Sequence, residues 1–441
     1  MTLSAWNICR NGSINLRIVA IFWFIFCAAC SFDTTIDDSP NTVHYYQFSL
    51  PGLKSIFAEL KRQFQEKHPD IYIHIHTLPT NTDDQHQFYL THLQSRKSAQ
   101  MDVFAIDVIW MAEFVRAGLL LPVTDLYSKS EWESFFSPIL KTTLFDNRRY
   151  AVPIFVDGGL LYSRMDLLRK YGFPSPPKTW EELVSIADTI LKGENEDRLY
   201  GFVWQGRQYE GLICNFIEFL PANKEWLVAS NRTLQVNRSA VVPTLTFIRS
   251  LLSHKSVSPM SVLGMSEEES RHVFQNGQSI FMRNWPYAWK LAQQTGSPIR
   301  GKVQVSPLPS WNSLEPGRGA LGGFLLGINK DTPNPEPARQ WVRFLTSEEV
   351  QIQIWEQLGL TPARKTVFSK IQGEMGMEMG VLMEVMENTT PRPLNPLYIP
   401  ISQSMQAYIS GALSGIYTLE EAMDRMDNDL RRITRILSYE N

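Results

Sequence analysis

Cysteine is scarce in this chain: four in 441 residues, three of them within the first 30 positions. Only Cys214 lies beyond, so no intramolecular disulfide is available there, and a chain this long does not need one to build a core. Charge of one sign is also lacking. Lys and Arg total 42 against 45 Asp and Glu, a formal charge of −3, which leaves no basic footprint for nucleic acid. No Ser-His-Asp order, zinc-type histidine pair, phosphate loop or dinucleotide fingerprint stands out. The eight histidines are scattered, and His74 and His76, which alternate on an expected strand, read as surface or core. The C-x₂-C of Cys27 and Cys30 sits in an apolar run and is not a metal or redox pair. No metal and no cofactor is implied. Internal repeats and low-complexity blocks are absent.

Aromatic rings are what the chain has in quantity, at 12% with 12 Trp. The stretch "MRNWPYAWKL", residues 282–291, puts Trp285, Tyr287 and Trp289 within five positions around Pro286. Pro286 disfavours a regular helix through this point, because it lacks an amide donor and clashes with the preceding turn. Rings concentrated at a break suit a binding cleft as well as a core.

The N-terminus is set apart from the fold. Arg10 and Arg17 precede the apolar run Ile18 to Cys30, which is too short to span a bilayer comfortably. A basic region, a short apolar region and small residues describe a secretory signal over 1–29. Its ending, "CAAC", resembles a bacterial lipobox with Cys30 as the lipidation site, although Cys27 stands where Leu is usual. Cleavage by ordinary signal peptidase or a retained anchor are the other readings. Residues 30–41 are polar and read as a flexible tether.

From residue 42 the pattern alternates. "TVHYYQFSL" reads as a strand. The helix after it carries Leu53, Phe57, Leu60 and Phe64 on one face and stops before Pro69. "DIYIHIHTL" and "MDVFAIDV" read as strands with a helix between them. "KTWEELVSIADTIL" reads as a helix capped by Thr179, with Glu182 completing a capping box. Residues 208–292 read as mostly helical, "GALGGFLLGINK" as a strand, and 401–438 as helical. Alternation of this kind implies α/β architecture with parallel sheets, whose ligands bind beyond the carboxyl ends of the strands, where Asp107 and Trp110 lie.

Several segments in order resemble family 1 extracellular solute-binding proteins of ABC sugar importers. They are "MDVFAIDVIWMAEFVRAGLLLPV", "RYAVPIFVDGGLLYSRMDLLRKYG", "KTWEELVSIADTI", "GALGGFLLGINKDTPNPEPARQWVRFLTSEEVQ", "LGLTPARKTVF" and "PRPLNPLYIPIS". The likeness covers nearly all of 42–437, and "RNWPYAW" is most similar to the trehalose- and maltose-binding branch. The resemblance implies a two-lobed, type II-like periplasmic-binding-protein fold with hinge-linked lobes and a cleft between them. It places lobe 1 at 42–151 plus 308–366 and lobe 2 at 152–307 plus 367–441, with crossings near Tyr150–Pro153, Ser306–Pro309 and Arg364–Lys370.

A sugar needs carboxylates or amides for its hydroxyls and flat rings for its C–H faces. By resemblance, Trp285 is the stacking ring and Tyr287 its neighbour, while Trp289 packs inward. Asp107 and Asp157 match carboxylates that accept hydroxyls from opposite lobes. Gly322 and Gly323 would let backbone amides approach the ligand, or simply make a tight bend. Phe324 stands where the nearest relatives of that branch carry Trp. Arg364 resembles an arginine that reaches the sugar across the cleft; a surface ion pair is its other reading. Trp204 and Phe155 are weaker candidates.

The implied function is capture of a disaccharide or glucosylated polyol (trehalose, maltose, sucrose or glucosylglycerol). The protein is then a monomer that delivers its ligand to ABC permease subunits, lipid-anchored to a bacterial cell membrane and facing periplasm or exterior. Two alternatives use the same lobes: a glycoside hydrolase working through Asp107 and Asp157, and a sugar sensor without transport.

Overall fold

A computed structural model describes residues 41–435 apart from 51, 80–81, 94–99, 222–223, 231–232, 254–256, 316 and 372–378. The secretory and lipidation segment with Cys30 lies outside the described residues. Nine strands carry the two main sheets: β1 (Thr42–Gln47), β2 (Tyr72–Thr77), β3 (Val103–Asp107), β4 (Ala151–Gly158), β5 (Leu160–Arg164), β6 (Tyr200–Val203), β7 (Ser279–Asn284), β8 (Val303–Ser306) and β9 (Leu321–Ile328). The first lobe holds the order β2-β1-β3-β9-β4 and the second β8-β5-β7-β6.

The helices form where sequence periodicity places them. Leu53–Lys67 buries Leu53, Ile56, Phe57, Leu60 and Phe64 as one stripe, and Phe64 meets Trp341 edge-on with centroids 5.0 Å apart. Each such side chain contributes roughly 1.5–3 kcal/mol by leaving water. Trp180–Glu194 starts at Thr179, whose hydroxyl accepts the Glu182 N–H at 3.1 Å. The Glu182 carboxylate in turn accepts the Lys178 N–H at 2.7 Å, one residue before the expected partner. The stretch 335–358 forms two helices, Pro335–Leu345 and Glu348–Leu358, separated at the Ser347 cap. Among the described residues no helix is long and apolar enough to cross a membrane.

Four expectations need correction. Neither sheet is all parallel: β9 runs antiparallel to both β3 and β4, because it enters the first lobe after a return from the second and inserts between existing strands. The first crossing lies at Gly158–Gly159, not Tyr150–Pro153. β4 is buried along its whole length and pairs with β9 from Ala151 to Gly158, so the chain changes sheet only at its end. Pro153 sits inside β4 beside a register shift, where its missing donor is tolerated. The second crossing lies at about 317–320, not Ser306–Pro309: Ser310 still bonds Lys178 and Trp180, and Trp311 Nε1 still donates to Phe219 O, all on the second lobe. The third crossing lies at about 388–397, not Arg364–Lys370. Helix Met379–Glu387 still packs on β4, burying Leu382, Val385 and Met386. Only helix Tyr398–Leu413 then joins the second lobe, against helices Glu210–Phe219 and Leu419–Arg435.

Stretch 208–292 is less helical than expected. It contains a hairpin, Leu227–Ser230 with Thr233–Val236, and all of β7. The aromatic segment therefore follows a strand. β7 ends at Asn284, Trp285 occupies the gap, and Pro286 caps the short helix Tyr287–Ala292.

Candidate binding cleft

A cavity of about 690 Å³ lies between the lobes and is lined from both of them. On the first-lobe wall, Asp107 ends β3 and Asp157 lies near the end of β4. The β9 residues Phe324 and Gly322 stand directly opposite them in register. Both carboxylates thus belong to one lobe, not to opposite lobes as expected, because β9 threads between their strands.

Asp107 caps the turn after β3 by accepting the Ile109 N–H at 3.1 Å. Burial raises its pKa to about 6, against the pull of the Arg392 guanidinium 3.7 Å away. Asp157 is more exceptional. Burial raises its pKa to about 7, with Arg283 pulling the other way, and its Oδ1 finds no hydrogen-bond partner among the described residues. A buried carboxylate oxygen without a donor is costly. Asp157 also lines the cavity, so its carboxylate is placed to meet a ligand hydroxyl there.

Gly322 and Gly323 differ in their reasons for being glycine. A Cβ on Gly322 would stand 3.1 Å from the Trp285 ring, so its absence seats that ring against β9. Gly323 has φ +118° and no room toward Phe155 O, a backbone demand of the strand itself. Phe324 lines the cleft and stacks on Phe155, centroids 5.6 Å apart, with Phe48 4.7 Å from Phe324. Phe155 touches the cavity but is 3% exposed, so it mainly supports Phe324.

On the second-lobe wall Trp285 and Tyr287 are half-buried and face the cavity. Trp285 Nε1 donates to Glu267 Oε1 at 3.3 Å and Tyr287 Oη to Glu268 Oε1 at 2.7 Å. Behind Trp285, the Arg283 guanidinium lies 3.9 Å from the ring centroid. Trp289 is buried, as expected.

Two candidates do not reach the cleft. Arg364 stays inside the first lobe. Its Nε donates to Thr346 O at 2.8 Å, its Nη1 to Ser134 Oγ at 2.7 Å, and its plane covers Phe135 at 4.2 Å. A guanidinium so occupied has no donor fork left for a ligand. Trp204 is fully buried in the second-lobe core, donating to Ser258 Oγ at 3.2 Å. Trp110 is core as well.

Sequence reasoning missed an arginine that does line the cleft. Arg392 donates through Nη1 to Glu210 Oε1 at 2.8 Å and through Nη2 to Leu321 O at 3.0 Å, so it touches both lobes. Its place between Pro391 and Pro393, on the third crossing, was the available signal. Glu267 and Glu268 were also missed. They open a helix with a capping box at Ser266, and acidic first turns are ordinarily explained by the helix dipole.

Two lobes, three crossings and a walled cavity between them define a hinged ligand-binding protein. Residues 49–352 match the family "Bacterial extracellular solute-binding protein", and the chain belongs to that family. A "Probable ABC transporter-binding protein" of Deinococcus radiodurans is 32% identical over 364 residues, covering 81% of this chain and 85% of that one. Maltose-bound MalE3 of T. maritima is 34% identical, with a TM-score of 0.78 over 89% of this chain and 99% of that one. A tagatose-bound solute-binding protein of Thermotoga lettingae shares the fold at 23% identity, with a TM-score of 0.76 over 90% and 100% of the two chains.

Proposed function

We propose that this chain is the sugar-capturing component of an ABC importer, and that its ligand is a disaccharide or glucosylated polyol of the trehalose, maltose, sucrose or glucosylglycerol class. The observation that carries the reading is Asp157, whose Oδ1 has no partner among the described residues, on the wall of the cavity that Trp285 also lines. An acceptor without a donor and a flat ring beside it match the two faces of a sugar. Asp107 and Arg392 extend the polar floor, and Tyr287 and Phe324 extend the apolar walls. The MalE3 relative, solved with maltose, supports the disaccharide size.

Ligand that touches both walls binds the closed arrangement better and shifts the hinge equilibrium toward it. The closed form then docks on a membrane permease. Lipidation at Cys30 keeps the monomer near that permease and raises the local encounter rate. A thermal-shift panel of trehalose, maltose, sucrose and glucosylglycerol tests the ligand class, since a ligand that binds only the native form raises its melting point. A rise with at least one of them is expected, and the sugar should be recovered intact. No shift with any of the four would overturn the class. Cleavage of the bound disaccharide would favour a hydrolase.

A further inference from the structure

Three chain crossings meet at one buried carboxylate, that of Glu218 on the helix Glu210–Phe219. Its Oε1 accepts the backbone N–H of Ala320, on the second crossing, at 2.9 Å. A Cβ at Gly159, on the first crossing, would stand 2.0 Å from that same oxygen, so only glycine lets the chain lie there. Gly319 lies against Gly159 in turn, with 2.5 Å between its would-be Cβ and the Gly159 nitrogen. The third crossing joins through Thr390, which donates to Gly319 O and accepts from Leu321 N, each at 2.8 Å.

Glu218 also forms a buried ion pair. It holds Arg283 in a two-point fork, Nε to Oε2 at 2.7 Å and Nη2 to Oε1 at 2.5 Å. Arg283 Nη1 donates to Gln205 Oε1 at 3.1 Å, and the guanidinium plane backs the Trp285 ring. An unbroken line of contacts therefore runs from the hinge backbone to the aromatic ring: Ala320, Glu218, Arg283, Trp285. A buried ion pair is weak as a source of stability, because desolvation offsets most of the attraction. Its fork geometry is strong as a constraint on position.

We propose that Glu218 and Arg283 are positioning residues that couple the Trp285 ring to the hinge. Any movement of the crossings that lengthens or turns the Ala320–Glu218 bond moves the carboxylate, and the fork carries that displacement to the guanidinium behind the ring. By linkage, a ligand that fixes the ring biases the hinge by the same free energy. The ligand half of this statement rests on the sugar-capturing function proposed above; the coupling between hinge and ring does not.

The test reads the ring without ligand. The indole Nε1–H resonance of Trp285 is assigned by its loss in Trp285→Phe. Ala320→Pro deletes the hinge-side donor and touches neither the ring nor the guanidinium. Gly159→Ala presses a methyl on the carboxylate from the other crossing, but also on Arg283 Nη2, 2.8 Å from the would-be Cβ, so Ala320→Pro is the cleaner of the two. Each should shift the Trp285 resonance beyond its linewidth in the ligand-free protein, as should Glu218→Gln. Maltose affinity by calorimetry should fall at least about fivefold in each variant, the lower end of ordinary coupling. Combining Ala320→Pro with Glu218→Gln should cost little more than either alone, since both break one path. If the two hinge-side variants fold and leave the resonance unmoved, or if the double variant is additive, the coupling is wrong. Should Glu218→Gln fail to fold, Ala320→Pro still decides. If wild type binds no sugar but the resonance moves, the functional reading fails and the coupling stands.

Discussion

The first-lobe wall of the cleft offers its carboxylates from strand ends, Asp107 on β3 and Asp157 on β4, while the second-lobe wall offers Glu267 and Glu268 from the first turn of a helix. The helix pair is already engaged. Burial pushes Glu268 up, but bonds from Arg271 and Tyr287 more than offset it, and its carboxyl sits below the ordinary range. Asp157 has only the distant pull of Arg283, and burial leaves it raised to about 7. One wall is internally satisfied and holds its rings in place. The other is left short of donors, which is a cost in the empty protein and a reward on binding. Acidic residues thus brace the aromatic rings on one side and, in the proposed function, accept ligand hydroxyls on the other.

The largest effect should come from behind the satisfied wall. Trp289→Ala empties a core position and should cost about 3–5 kcal/mol of stability, read as a lowered melting transition, with affinity altered only indirectly. Asp157→Asn should weaken sugar binding by roughly 1.5–3 kcal/mol, the worth of hydrogen bonds to a charged acceptor. The same change should raise the melting point of the ligand-free protein near neutral pH. An affinity loss with an unchanged or lowered melting point would mean that the carboxylate is not strained in the empty cleft. Trp285→Ala should cost somewhat more than about 1.5 kcal/mol of affinity, for lost ring contact and the dry wall beside Asp157, with less loss of stability than Trp289→Ala. The reverse ranking in melting experiments would make Trp285 a core element.

A smaller effect is set by pH. A carboxyl whose folded pKa lies above its unfolded value binds more protons when folded. Asp157 and Asp107, raised to about 7 and about 6, should therefore make the ligand-free protein lose stability as pH rises from near 4 to about 7, then level off. Denaturant melts across that range check this, and Asp157→Asn should flatten the upper part of the slope. Arg364→Lys should have the smallest effect on affinity, within about 0.5 kcal/mol, as for a site sharing no partners with the cleft. A larger calorimetric loss would return Arg364 to the site.

Local features were legible from the chain alone. The stripe of Leu53, Phe57, Leu60 and Phe64, the Thr179 cap and the contrast between Trp285 and Trp289 depend on neighbours a few residues away, and each appears in the structure. What depends on pairing across hundreds of residues was not legible. β9 inserts between β3 and β4, which puts Asp107 and Asp157 on one lobe, and no periodicity encodes which strand will be a neighbour. Arg364 and Arg392 show the same limit. Each lies in a segment that the resemblance singled out, but Arg364 finds Thr346 and Ser134 within its own lobe, whereas Arg392 lies on the last crossing and meets Glu210 from the other lobe.

The central claim is that Asp157 waits for sugar hydroxyls. Calorimetric titration of maltose at pH 7, repeated in buffers of different ionisation enthalpy, counts the protons exchanged on binding. Hydroxyls donating to Asp157 favour its ionised form, so binding should lower its pKa from about 7 and release a fraction of a proton, and the release should vanish in Asp157→Asn. Tight binding with no proton release, or the same release in both proteins, would contradict the account.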